Sequence, residues 1–442
     1  MTALPPTLTE LQRSIARKEL SVQEAWQAQL TRRDALDARW HCLAQALAPQ
    51  ERRPEEGPLA GIALAHKDNL DTWGRRAGCG IDRGQILRGL APAWAIDALH
   101  RAGASHLGAL VMPELACGAT SSNPRFENCI NPLHAQAVVG GSSSGSAVAV
   151  AGGMAYGSLG SDTAGSVRIP AATCGLVGLK TTLGLIPIQG LTPLASSLDT
   201  IGLLARNVED AAQLLEPLAP GLSLASRAAP EPQRLRLWLP SSWVHEEVAL
   251  ALEALAREMG AESADLQAEH AHLSALTEIV LQAELAQLQA GPLRAGRLGP
   301  GVQTLAWPGL VMPPAWLEAA LAVRGAELRR FCQTWLPDGQ VLMMPALARP
   351  VPDRRHAEPG QADFEPRELL ALHRSMGFIN YLGLPALVMP IAKDSRGLPI
   401  SVQLVGRPFH EHQLLAIAAQ LQERRFGHPG FLPGWHMAST EN

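Results

Sequence analysis

Along the opening residues, Leu8, Leu11, Ile15 and Ala16 recur at helical spacing among polar neighbours. Thr7-x-x-Glu10 and Ser21-x-x-Glu24 both read as capping boxes, so the segment 1–55 is expected to be helical and to pack on a core. From Gly61 the pattern changes. Gly61-Ile62-Ala63-Leu64-Ala65-His66-Lys67-Asp68 is a short apolar run ending in polar groups, which predicts a buried strand and its exit loop. A helix over 93–102, a strand over 108–112 and a helix over 146–151 follow, and 155–159 leads into a further loop. Proline and alanine thicken over 217–233. Beyond them, 235–239 reads as a strand, 248–259 and 315–335 as helices, and 291–314, rich in Gly and Pro, as a loop. The runs 340–345, 386–391 and 400–405 predict buried strands, and 410–424 a closing helix. Alternation of this kind predicts an α/β fold.

Composition narrows the setting. The chain has 442 residues, 47% of them hydrophobic, enough for one large α/β domain or two smaller ones. A net charge of -4 gives no electrostatic footprint for nucleic acid, and no long apolar run reads as a membrane span. Residues 1–6, Met-Thr-Ala-Leu-Pro-Pro, lack the basic and apolar blocks of a secretory signal, so a cytoplasmic protein is expected. Cys42, Cys79, Cys117, Cys129, Cys174 and Cys332 form no CxxC pair and no zinc spacing with histidine, so reduced thiols and no metal are expected. Lysine is more informative. Only Lys18, Lys67, Lys180 and Lys393 occur, and arginine fills nearly every other basic role. A lysine at the end of an apolar strand stands apart, because burial can strip an ammonium of its proton but not a guanidinium.

Candidate chemistry concentrates between Gly140 and Pro170, where eight serines and threonines lie among eight glycines. Gly140-Gly141-Ser142-Ser143-Ser144-Gly145-Ser146 opens the stretch and Ser161-Asp162-Thr163-Ala164-Gly165-Ser166-Val167-Arg168-Ile169-Pro170 closes it. Hydroxyls with backbone room around them suit an activated serine whose neighbouring amides face a developing negative charge. One reading takes Gly141-Ser142-Ser143-Ser144-Gly145 as a nucleophile elbow with Ser143 attacking and one of His245, His270, His356, His373 or His410 as its base. Another sees a phosphate loop in Gly140 to Ser146, but Ser146 stands where the lysine is required. A third joins Lys67, Ser142 and Ser166.

The third set resembles the amidase signature family. The matching pieces are the 61–69 strand and its exit, the Gly140–Ser146 loop, and Ser161–Pro170 running into Cys174-Gly175-Leu176-Val177-Gly178-Leu179-Lys180. Ser197-Leu198-Asp199-Thr200-Ile201-Gly202 extends the match. Gly383-Leu384-Pro385-Ala386 and the 397–406 run resemble the family's closing strands. The resemblance implies an α/β/α sandwich around a large mixed sheet, spanning 1–442 as one domain. Its parts would be N-terminal helices over 1–55, a catalytic core over 60–215, a variable helical elaboration over 230–370 able to cover a pocket, and closing strands and a helix over 375–436.

It also implies roles. Ser166 would be the nucleophile, Ser142 the relay after a cis Gly141–Ser142 bond, and neutral Lys67 the base. The amides of Thr163, Ala164, Gly165 and Ser166 would hold the oxyanion. Ala116, Cys117, Gly141 and Asp162 are candidate substrate contacts. Asp162 and Arg168 are expected to pair with each other or with loop backbone, Asp68 and Asn69 to satisfy loop amides, Lys180 to meet backbone carbonyls or a nearby carboxylate, and His66 to face away from Lys67. Ser144, Ala164, Thr173 and Thr181 depart from the family's usual residues without removing any proposed catalytic group. The expected activity is hydrolysis of a small carboxamide or anilide through an acyl-enzyme. No cofactor, nucleic acid or membrane is expected, and the only protein partner foreseen is a second copy in a homodimer. Alternatives are the glutaminase subunit of a tRNA-dependent amidotransferase, a hydrolase of urea derivatives such as allophanate or biuret, and a catalytically silent binding protein.

Overall fold

The computed structural model describes residues 4–46, 56–82, 84–222, 234–337 and 339–427. The Pro- and Ala-rich stretch noted over 217–233 therefore lies outside the described residues from 223 onward, as do 47–55 and 428–436 of the expected segments.

Both capping boxes form. Thr7 and Ser21 accept the amides of Glu10 and Glu24, whose carboxylates return to the cap amides, and the helices Leu8–Ala16 and Val22–Trp40 follow. Thirteen strands come next in chain order among the described residues. They are β1 (Leu43–Ala46), β2 (Ala63–Lys67), a short hairpin of β3 (Arg75–Arg76) and β4 (Gln85–Ile86), β5 (Ser105–Leu110), β6 (Gly157–Asp162), β7 (Val177–Lys180), β8 (Thr200–Ala205), β9 (Arg234–Trp238), β10 (Glu262–Ala264), β11 (Gln340–Pro345), β12 (Ala386–Lys393) and β13 (Pro399–Val405). Eight form one mixed sheet in the order β10-β9-β11-β13-β12-β7-β8-β6. Its β10-β9-β11 edge is parallel and the rest antiparallel. A three-stranded sheet, β1-β5-β2, lies beside its β6 edge.

The two sheets share no ladder, but side chains and backbone join them. His66 Nδ1 on β2 accepts the Leu159 amide of β6 at 3.0 Å. Helices cover both faces of the large sheet and enclose apolar clusters on either side. This is the expected α/β/α architecture around a mixed sheet. No helix among the described residues is long and apolar enough to cross a membrane.

The stretch 291–314 is not the loop its glycines and prolines suggested. It holds the helices Ala290–Arg294 and Pro300–Val311. Pro300 occupies the first turn, where a missing N–H is harmless. A Cβ at Gly309 would collide with the Gln282 carbonyl, so this glycine lets the helix lie close against Gln267–Leu288 rather than breaking it. That 22-residue helix, Gln267–Leu288, and Pro314–Trp335 dominate the middle of the chain. The strand placed at 108–112 runs instead over Ser105–Leu110, with Gly108 passing close to β1 at Gln45.

Candidate active site

β2 is buried along its length and delivers Lys67, 1% exposed, to the seam between the sheets. Its Nζ lies 2.7 Å from Ser142 Oγ, 2.8 Å from Ser161 Oγ and 3.5 Å from the Ser161 carbonyl. All three partners are neutral. Burial pushes the lysine down to about 7, opposed by the more distant Asp199 and Asp162. Asn69 Nδ2 also donates to Ser161 Oγ, at 2.9 Å, so the expectation that Asn69 would satisfy loop amides gives way to a direct tie to the lysine's partner. Asp68 does receive a loop amide, from Gly78, and pairs with Arg75 at 3.0 Å.

Ser142 follows a cis Gly141–Ser142 bond. A side chain at Gly141 would strike the Thr120 carbonyl, which is why the loop can fold so tightly here. The helix Ser144–Ala151 starts immediately after. The Ser143 amide donates to the Ser166 carbonyl at 3.1 Å, so the second loop is held against the residue next to Ser142. Ser166 is 9% exposed, whereas Ser142, Ser143, Ser144 and Ser146 are fully buried.

Asp162, at the end of β6, fixes the 163–167 turn. Its Oδ1 accepts the Gly165 amide at 2.9 Å and its Oδ2 accepts the Val167 amide at 3.1 Å. Arg168 donates to both oxygens, at 2.9 and 3.0 Å, and is itself held by Gln403 at 2.7 Å and Asn380 at 2.5 Å. Burial alone would raise this carboxyl, but Arg168 beside it keeps it well below the usual carboxylate range. Asp162 thus has a structural partner for every oxygen, as its pairing with Arg168 foresaw, and it is fully buried. The Gly165 amide is committed to Asp162, which leaves Thr163, Ala164 and Ser166 as the amides available to a ligand. Gly165 itself sits at φ 111°, and a Cβ there would stand 2.6 Å from Met376 Cγ.

The turn's other anchor is Asp199, raised to about 6 by burial. It accepts the Thr163 hydroxyl at 2.5 Å and the amides of Leu194 and Ala195. Ala116 and Cys117 are both buried, and Lys67 and Asp199 both act on the Cys117 thiol, which burial pushes up. A Cβ at Gly301, in the helix Pro300–Val311, would stand 3.7 Å from the Cys117 carbonyl, so the middle of the chain closes over this corner.

Among the described residues no hydrogen bond joins Ser143 to any of the five candidate histidines, so the elbow arrangement is not assembled. Ser143 Oγ donates to the Ser161 carbonyl at 3.4 Å. His245 caps its own helix, His270 meets the Arg374 carbonyl and His410 the Pro408 carbonyl. Lys180 Nζ donates to the Thr181 carbonyl at 2.9 Å, as expected, and His66 stacks on His106 with its back to the lysine. Ser161, Asn69, Asp199 and Asn380 are the site residues whose parts the sequence did not reveal. Among the described residues no group of three or more His, Cys, Asp or Glu is placed to hold a metal ion.

Known proteins resemble this chain along most of its length. A model of the Amidase family matches residues 19–236 and 311–415, well over half of the chain. A glutamyl-tRNA(Gln) amidotransferase subunit from Moorella thermoacetica is 33% identical over 479 aligned positions, covering 94% of this chain and 96% of that protein. A crystal structure of an amidase superposes with a TM-score of 0.82 at 27% identity, covering 95% of this chain and 100% of the other. A protein from a vestigial complex bearing on the origins of an s-triazine catabolic enzyme gives a TM-score of 0.84 at 25% identity, covering 95% and 98%.

Proposed function

We propose that this chain, which belongs to the amidase family and acts on amide C–N bonds, hydrolyses small neutral carboxamides or anilides through Ser166, Ser142 and Lys67. The observation that carries the reading is the 2.7 Å contact between Lys67 Nζ and Ser142 Oγ in a pocket of neutral partners. Burial lowers this amine to about 7, so that near and above that pH Lys67 has a lone pair to offer.

Ser166 Oγ attacks the carbonyl carbon while its proton passes to Ser142 Oγ and the Ser142 proton to Lys67 Nζ. The oxyanion is held by the free amides of Thr163, Ala164 and Ser166. The C–N bond then breaks as the leaving nitrogen takes the proton back along the same path, releasing ammonia or an amine. Water repeats the relay on the acyl-serine and frees the carboxylate.

A second reading, glutamine as the ammonia source for a partner, is favoured by the likeness to the amidotransferase. Glutamine brings an ammonium and a carboxylate that must be countered once out of water. Residues 298–317, which close over Cys117, contain no ionisable residue, and the Glu114 carboxylate at that corner is engaged by the Gly299 amide at 2.9 Å. That favours a neutral acyl group.

The test is a panel of neutral carboxamides, anilides, ureas and glutamine, assayed with the chain purified alone. Neutral amides are expected to turn over with kcat/KM at least about 10-fold above glutamine. Ser166→Ala is expected to lose a factor on the order of 10³ or more. Ammonia release from glutamine alone, and only with a partner present, would establish the second reading instead.

A further inference from the structure

The middle of the chain does more than roof the site. The backbone of Ser197 is gripped at both its amide and its carbonyl by side chains from the two 22-residue helices. The Ser197 amide donates to Glu284 Oε2 of Gln267–Leu288 at 2.9 Å, and Arg324 Nη1 of Pro314–Trp335 donates to the Ser197 carbonyl at 2.7 Å. Arg324 Nη2 also reaches the Asn380 carbonyl at 3.3 Å, and its guanidinium lies over the Tyr381 ring. The Tyr381 hydroxyl in turn donates to Ala320 one turn earlier in the same helix, at 2.5 Å. Glu284 also acts electrostatically on Arg324, from the other side of the Ser197 backbone.

What this clamp holds is the back of the 163–167 turn. Two residues beyond Ser197, Asp199 grips the Thr163 hydroxyl. Asn380, whose carbonyl Arg324 touches, sends its amide to the Asp162 carbonyl at 2.8 Å and to Asp162 Oδ1 at 3.0 Å. Both anchors of the turn therefore lie one step from Arg324. The same two helices belong to the region that covers the corner beside Cys117.

We infer that Glu284 and Arg324 are positioning residues that set the oxyanion-binding turn through Ser197 and Asn380, so that placement of the covering helices is read out in turnover. This rests on the proposed use of the Thr163, Ala164 and Ser166 amides. Neither side chain is placed to touch substrate. Arginine suits the task because its fork spans two carbonyls, which a lysine ammonium does not match.

The experiment is steady-state kinetics on the best neutral amide with Arg324→Met, Arg324→Lys, Glu284→Gln and the Arg324→Met/Glu284→Gln double variant. Rates are normalised to the active fraction titrated with a fluorophosphonate, and Ser166→Ala runs in parallel. Arg324→Met is expected to lower kcat by roughly 10-fold or more with KM within about 2-fold, because misplaced donors weaken the transition state more than the ground state. Arg324→Lys should recover part of the loss. The double variant should fall no further than Arg324→Met, since both act on the backbone of one residue, Ser197. An unchanged kcat per titrated site, or a rise in KM alone, would overturn the inference. Should Arg324→Met fail to fold, Glu284→Gln decides it by the same two numbers. If Ser166→Ala retains wild-type turnover, the proposed nucleophile fails, a different result from loss at Ser166 with no effect at Arg324.

Discussion

Lys67 shows how an environment assigns a role. It is one of four lysines in a chain that otherwise uses arginine, and that rarity made it stand out in the sequence. Burial then lowers it to about 7, and its nearest partners are two hydroxyls and a carbonyl. As a base it must be neutral, so log(kcat/KM) should rise with pH below about 7 and level off above it. Stability moves the same way. Unfolded, the lysine binds its proton up to about 10.5; folded, it releases it near 7. Between those values the unfolded chain holds the extra proton, so stability rises with pH. Urea midpoints at pH 7 and 9 should therefore show wild type gaining on Lys67→Met, a comparison that cancels Lys180, which burial also brings to about 7. A flat difference and a flat rate profile would place Lys67 among the charged lysines.

At the scale of elements, the turn between β6 and the helix Arg168–Cys174 carries the arrangement. Asp162 gathers amides from Gly165 and Val167 while pairing with a fully buried Arg168. Removing one member of a buried pair leaves the other uncompensated, at a cost of about 3–5 kcal/mol. Asp162→Asn should lower the urea midpoint accordingly and reduce kcat per folded enzyme, both in one preparation. A variant of unchanged stability would show that Arg168 does not depend on this carboxylate. The Asp162–Arg168 pairing was legible because the two lie six residues apart in one loop. Their other partners were not, since Asn380 is 218 residues from Asp162 and Gln403 is 235 from Arg168. Elements with clean periods and caps, such as Leu8–Ala16 and Glu246–Met259, were visible in the chain. Pro300–Val311 was hidden because its Gly309 serves helix contact rather than a turn.

For the molecule as a whole, the site exists only where two sheets meet. Lys67 ends a strand of the small sheet, while Ser142 and Ser166 flank β6 of the large one. Motif order along the chain pointed to these three residues, but nothing in the sequence shows that β2 and β6 touch without a shared ladder. Spacing could not reveal the grip of Glu284 and Arg324 on Ser197 either, because they lie 87 and 127 residues from it along the chain. Every step of the proposed chemistry depends on Ser166 being the serine that the lysine activates. Peptide mapping after fluorophosphonate treatment reads this directly. A single adduct on Ser166 is expected, none with Ser166→Ala, and labelling of Lys67→Met slowed by about 100-fold or more. An adduct on Ser143, or labelling of Ser166→Ala at the wild-type rate, would contradict that assignment.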